Sequence, residues 1–170
     1  CDSVATELRA AGFRKIVFCG DTDYSQTQHI DRWNKDGIVF RFGYAAVPKL
    51  TEIADNLAES KWKRLQRRPK YEVRTKSRTK PERVKEQIVV EREFRNIVLQ
   101  SEDVAEFDYQ PTACKKKYRM VVVRKNLSVE KGENVLFDDI KYFFYITNDR
   151  DSTKEQIVFF CNDRCNQENL

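Results

Sequence analysis

Residues 15–24 have the sequence Lys-Ile-Val-Phe-Cys-Gly-Asp-Thr-Asp-Tyr, and this stretch decides the fold. Its first five residues are an apolar run rich in strand formers, which predicts a buried strand over residues 15–19. Gly20 and Asp21 end the run, as turn residues do. The chain therefore places a carboxylate directly after a buried strand, at the end where open α/β sheets build their sites.

The flanking segments predict an α/β fold class. Residues 3–11 and residues 26–35 have the boundary signals of helices. Residues 38–43 predict a second strand, and Pro48 suits the first turn of a third helix. Helices and strands that alternate in this way predict a mostly parallel sheet with helices packed on it.

The overall composition excludes several classes of protein. The chain has 170 residues, of which 35% are charged, 40% hydrophobic and 12% aromatic, so it is not a disordered chain. No apolar run approaches the roughly 18–20 residues of a membrane helix, which predicts no membrane partner. The five cysteines lack C-x-x-C spacing and His29 is the single histidine, which argues against structural zinc and favours reduced thiols in a cytoplasm.

The composition changes at about residue 61. Residues 61–80 hold ten Lys or Arg and one acidic residue. Four later runs have strand composition: residues 87–90, 96–99, 118–123 and 141–147. These features predict a basic, β-rich subdomain over residues 61–149, inserted into an α/β core formed by residues 1–60 and 150–170.

The basic segment predicts a phosphate-binding surface. Residues 61–80 carry a net charge of +9 whereas the whole chain carries +5, so the positive charge is local. The alternative is a solvated loop. The candidate DNA-binding residues are Lys61, Lys63, Arg64, Arg67, Arg68, Lys70, Arg74, Lys76, Arg78, Lys80, Lys115, Lys116 and Lys117.

The C-terminal stretch predicts a helix from residue 153 to the end. Ser152-Thr-Lys-Glu155 has the capping-box pattern. Ile157, Cys161, Arg164 and Glu168 follow at spacings of four, three and four, which forms one helical stripe. The charged groups of Arg164 and Glu168 can then reach the same point in space. The alternative is an ordinary surface ion pair between residues four apart on a helix.

Three segments together resemble bacterial insertion-sequence DDE transposases of the cut-and-paste group. These are Cys19-Gly-Asp-Thr-Asp-Tyr-Ser, Trp33-Asn-Lys-Asp-Gly-Ile-Val-Phe-Arg-Phe-Gly-Tyr and Arg164-x-x-x-Glu168. The resemblance implies a partial RNase H-like core with an inserted β-rich subdomain, and DNA strand cleavage and strand transfer at transposon ends. It implies that Asp21 and Glu168 ligate two Mg²⁺ (or Mn²⁺) ions beside Arg164. It also implies a DNA partner, a homodimer on DNA and a cytoplasmic, nucleoid-associated location.

The sequence departs from the family pattern in three places. Cys161 stands where the signature has Tyr, and the signature's Lys would lie beyond Leu170. The family's first aspartate would lie upstream of Cys1. The resemblance therefore implies a fragment that is inactive alone, in which the strand end carrying Asp21 and the stripe carrying Glu168 face one cleft.

Two other functions are compatible with these residues. Asp21-Thr-Asp23 after a strand also resembles the Asp-x-Asp of haloacid-dehalogenase-type phosphatases, with Asp21 as nucleophile and Asp23 as general acid. The chain could instead be a non-catalytic DNA-binding module. A purely structural role is open as well, since an Asp after a strand often caps a turn.

Overall fold

The computed structural model describes residues 2–67, 96–131 and 134–163. The first part contains α1 (Asp2–Ala10), β1 (Val17–Gly20), a 3₁₀ turn (Thr22–Tyr24), α2 (Thr27–Lys35), β2 (Val39–Tyr44) and α3 (Pro48–Asp55). A second 3₁₀ turn (Glu59–Lys61), β3 (Lys63–Arg64), β4 (Asn96–Tyr109), β5 (Tyr118–Lys131), β6 (Asn134–Thr147) and α4 (Lys154–Asp163) follow. None of the described helices is long and apolar enough to cross a membrane.

The predicted elements of the first 60 residues are confirmed, each within two residues of its predicted bounds. Their apolar spacing explains why. Ile30 and Trp33 are the buried residues of α2, and Leu50 and Ala54 are those of α3, so each helix buries one face. Pro48 occupies the first turn of α3, as predicted.

The six described strands form one mixed sheet in the order β1-β2-β6-β5-β4-β3. Only β1 and β2 pair in parallel, and the other four neighbouring pairs are antiparallel. The prediction of a mostly parallel sheet is therefore wrong for the described strands. The physical reason is that β4, β5 and β6 follow one another through short connections, which permit only antiparallel pairing.

The second half of the chain extends the same sheet. Three of the four predicted strand runs lie within β4, β5 and β6, and the run at residues 87–90 lies outside the described residues. Each of these strands has 14 residues, so the sequence underestimated their lengths. β6 pairs with β2 through Arg41 opposite Thr147 and Tyr44 opposite Phe144, which joins the β-rich part directly to the α/β part.

Helices cover both faces of the sheet. On one face, Phe40, Phe42, Met120 and Val122 belong to the cluster that includes Trp33 of α2. On the other face, Val121 and Val123 pack with residues of α4, namely Ile157 and Val158. Because successive strand residues point to opposite faces, the apolar run at residues 120–123 is buried on both sides.

The start of α4 differs by one residue from the prediction. The backbone N–H of Thr153 donates to the Gln156 Oε1 at 2.8 Å, and the N–H of Gln156 donates to the Thr153 Oγ1 at 3.2 Å. The capping box is therefore Thr153 with Gln156 rather than Ser152 with Glu155. Ser152 lies one residue before this capping box, and its backbone N–H donates to the Asp149 carboxylate at 3.0 Å.

Asp149 is a buried carboxylate that joins three elements. Its Oδ1 accepts the N–H groups of Asp151 and Ser152, and its Oδ2 accepts from the guanidinium of Arg41 at 2.6 Å. The guanidinium of Arg119 donates to the carbonyls of Asp149 at 3.0 Å and Ser152 at 2.6 Å. Burial alone would raise the pKa of Asp149, but the hydrogen bonds from Ser152, Arg41 and Asp151 outweigh it and hold that pKa below its usual range.

Replacing Asp149 by Asn should lower the free energy of unfolding at pH 7 by about 3 kcal/mol, because Arg41 then lacks its buried counter-charge. Since the pKa of Asp149 is lower in the folded chain, its contribution is complete above pH 3.8 and is lost as the pH falls further. The two proteins should therefore converge in strong acid. Urea unfolding across pH measures this, and the exposed Asp151→Asn is the control; parallel curves at every pH would contradict the role of Asp149.

Candidate active site at the strand ends

A cleft of about 370 Å³ lies at the carboxyl ends of the two parallel strands. One wall comes from the ends of β1 and β2 and the residues that follow them. The rest of the lining comes from the aromatic residues of β6 and the last described turn of α4. Its lining includes Gly20, Asp21, Thr22, Gly43, Tyr44, Phe143, Tyr145, Cys161 and Asn162.

Asp21 begins the tight 3₁₀ turn that follows β1. Its Oδ1 accepts the backbone N–H of Asp23 at 3.1 Å, so Asp21 does cap a turn. The turn folds back over Gly20, where an added Cβ would lie 2.5 Å from the Cβ of Tyr24. Only glycine therefore fits at that position, and the turn holds the half-buried carboxylate of Asp21 beside the cleft.

Gly43 of β2 allows the same turn to lie close to the sheet. A Cβ at Gly43 would lie 3.1 Å from the backbone N of Thr22 and 3.3 Å from the backbone C of Asp21. These neighbours are backbone atoms, which cannot move aside as a flexible side chain can. The position of Asp21 thus depends on a residue of the neighbouring strand that the sequence analysis did not select.

The last described turn of α4 lines the same cleft as Asp21. Cys161 and Asn162 line it, and the hydroxyl of Tyr145 donates to the Asn162 Oδ1 at 3.2 Å. Cys161 belongs to the predicted helical stripe, so one member of that stripe shares the cleft with Asp21. Arg164 and Glu168, the other predicted site residues, lie outside the described residues.

The described residues do not form a divalent-metal site by themselves. Among the described residues that line the cleft, Asp21 is the one carboxylate. Within residues 2–67, 96–131 and 134–163, no group of three His, Cys, Asp or Glu side chains is suitably placed for a metal ion. Mg²⁺ prefers several hard oxygen ligands, so the predicted Mg²⁺ (or Mn²⁺) site depends on Glu168, which is not among those residues.

The described part of the basic segment is paired with carboxylates. Lys63 binds Glu155 at 2.8 Å, and Arg64 binds Asp103 at 3.4 Å. Arg67 and Glu102 form a two-bond pair. Lys61 is exposed at the end of the second 3₁₀ turn. The remaining predicted residues lie outside the described ones: Arg68, Lys70, Arg74, Lys76, Arg78 and Lys80.

These pairs form a shared network with β5. Asp103 also binds Arg124 at 3.5 Å, and Glu102 also binds Lys125 at 3.3 Å. The carboxyl group of Glu102 is nearly buried, and burial would raise its pKa, but the hydrogen bond from Arg67 lowers it overall. The network therefore holds the start of the basic segment on the sheet. This structural role explains why part of the segment is positively charged.

Lys115, Lys116 and Lys117 are exposed on the connection between β4 and β5. The backbone N–H of Lys115 donates to the Asp31 Oδ2 at 2.6 Å, which fixes the connection to α2 and leaves the three ammonium groups at the surface. Arg124, which belongs to the network of Glu102 and Asp103, lies seven residues beyond Lys117, mostly along β5. Because a strand rises about 3.3 Å per residue, about 20 Å separates the three lysines from that network. The described basic residues therefore form two separate groups.

No protein-family model, curated protein or solved structure that we compared with the chain matches it. The comparisons thus assign no activity to the cleft.

Replacing Gly43 by Ala should lower the free energy of unfolding by about 1–2 kcal/mol and displace the Asp21 turn, because the new Cβ would crowd the backbone of that turn. NMR amide shifts of residues 21–23 and urea unfolding measure the two effects. Ala46→Ser changes an exposed residue of the same lining and should leave both unchanged. Amide shifts at residues 21–23 identical to those of the unmodified chain would show that Gly43 does not position Asp21.

Proposed function

We propose that this chain carries part of the active site of a DDE-type DNA transposase, which cuts and joins DNA strands at transposon ends. The observation that supports it best is the shared cleft. Asp21, directly after β1, and Cys161, on the predicted catalytic stripe, both line it. Glu168 follows seven residues after Cys161 in the sequence.

The order of elements supports the finer fold proposal, a partial RNase H-like core with a β-rich insertion. β1, α2 and β2 form a parallel pair with an intervening helix, and α4 packs on the opposite face of the sheet. The three long strands β4, β5 and β6 lie between these two parts in the sequence. We propose that they form the insertion, which continues the sheet of the core.

The position of Asp21 suits phosphodiester chemistry. A carboxylate held at a strand end, beside an open cleft, is a hard oxygen ligand of the kind that divalent cations need. When bound, such ions stabilise the attacking and leaving oxygens of an in-line displacement at phosphorus. We propose that Asp21 supplies one ligand, and that Glu168 and an aspartate upstream supply others. DNA is the proposed partner, bound by a homodimer in the cytoplasm.

Replacing Asp21 by Asn in the longer protein that the resemblance implies should reduce Mg²⁺-dependent cleavage of transposon-end DNA by about 10²–10³-fold. Asn can still accept the N–H of Asp23, so the turn and DNA affinity should be retained. Asp23→Asn is the matched control and should keep most of the cleavage activity.

The same pair of variants separates the proposal from its alternatives. Hydrolysis of a small phosphate ester that needs both Asp21 and Asp23 would indicate the phosphatase. DNA binding without cleavage in the unmodified longer protein would indicate a non-catalytic binding module. Within the described residues, no lysine lines the cleft, so the phosphatase gains no further group from the structure.

DNA affinity should depend on salt through the predicted DNA-binding cations. Each phosphate contact contributes ~0.9 to the slope of log affinity against log salt. The triple substitution of Arg68, Lys76 and Arg78 by Ala should flatten this slope on duplex DNA. Arg67 is kept, since its loss would remove the two-bond partner of the buried Glu102 and leave that carboxylate with Lys125 alone.

The triple substitution of Lys115, Lys116 and Lys117 by Ala tests the second group of cations in the same titration. A reduced slope in either variant identifies which group contacts phosphates. Slopes that match the unmodified chain in both variants would contradict a DNA-binding role for the predicted residues.

A further inference from the structure

Tyr145 is one of the residues that line the cleft. It is on β6, directly opposite Gly43 of β2 in the antiparallel register. Gly43 has no side chain, and it is the residue against which the Asp21 turn packs. The half-buried Tyr145 therefore borders the cleft that Asp21 and the last described turn of α4 also line.

The described residues in the second half of α4 are not fully buried. The two fully buried side chains of α4, Ile157 and Val158, lie in the first half of the helix. In the second half, Phe159 and Cys161 pack partly buried against the same cluster, and the guanidinium of Arg41 lies 4.3 Å from the centre of the Phe160 ring. The hydroxyl of Tyr145 donates to the Asn162 Oδ1 at 3.2 Å, within the last described turn. This hydrogen bond thus connects the sheet to the part of α4 that lines the cleft.

We propose that Tyr145 is a positioning residue, whose hydrogen bond to Asn162 holds the last described turn of α4 at a fixed place in the cleft that Asp21 also lines. Its consequence for catalysis rests on the proposed function, because Arg164 and Glu168 follow Asn162 within six residues. The hydrogen bond itself does not depend on that function. A rigid support is needed because catalytic groups must be held within about 0.5 Å of their productive positions.

The test removes only the hydroxyl, in Tyr145→Phe. In the 170-residue chain, exchange of the backbone amides of residues 160–162 should become about five- to tenfold faster, while the amides of β5 and β6 keep their protection. Tyr142→Phe is a matched control. Its hydroxyl likewise donates to a side-chain oxygen and Tyr142 likewise lines the cleft, but the acceptor is the Asp55 Oδ1 of α3, at 2.6 Å, instead of a residue of α4.

A double-mutant cycle with Asn162→Ala tests the pairing directly. If the two residues act through one hydrogen bond, the double variant should exchange no faster at residues 160–162 than either single variant. Additive effects, or unchanged exchange in Tyr145→Phe, would overturn the proposal even if the transposase assignment is right.

The catalytic consequence is measured in the longer protein. Tyr145→Phe should lower kcat for DNA cleavage about five- to tenfold while KM for the DNA stays unchanged, because positioning affects the reaction and not DNA binding. An equal loss in the Tyr142→Phe control, or an unchanged kcat, would overturn the positioning role. Faster exchange in Tyr145→Phe together with full cleavage by Asp21→Asn would support the anchor and refute the proposed function.

Discussion

The buried carboxylate of Asp149 is the constraint on which the arrangement of the second half depends. It accepts from Arg41 on β2 and from the N–H groups of the residues that lead into α4. Arg119 on β5 adds two hydrogen bonds to the carbonyls of the same turn. A buried ion pair of this kind is costly to break, so it fixes where the chain leaves the sheet and where α4 begins.

The position of the cleft follows from the place where α4 begins. Because α4 begins at the turn after β6, its apolar residues Ile157 and Val158 pack on the second face of the sheet. Its last described turn then lies beside the carboxyl ends of β1 and β2, where Cys161 and Asn162 line the same cleft as Asp21. Asp21 and Cys161, which are 140 positions apart in the sequence, thus line one cleft because the Asp149 ion pair and its hydrogen bonds fix the turn that leads into α4.

Local patterns predicted the first half of the fold well and the second half less well. The apolar spacing of α2 and α3 is a local property, and so is the strand run before Gly20. Register is not local: no pattern in the sequence shows that Gly43 lies opposite Tyr145, or that β6 joins β2 in an antiparallel pair. Asp149 lies in a polar stretch typical of loops, so its buried partners could not be recognised. Charge counting likewise could not show that Arg64 and Arg67 are paired with carboxylates of β4.

The two interpretations of Asp21, turn cap and catalytic ligand, are compatible. Its Oδ1 accepts from the N–H of Asp23, which orients the carboxylate, and the absence of side chains at Gly20 and Gly43 lets the turn pack closely on the sheet. A carboxylate held in this way loses little conformational entropy when it binds a ligand, since its turn and its neighbouring strand have already fixed it. A carboxylate that only caps a turn does not need a position beside a cleft. The placement of this cap at the strand ends, in the same cleft as the last described turn of α4, is what favours a functional role for Asp21.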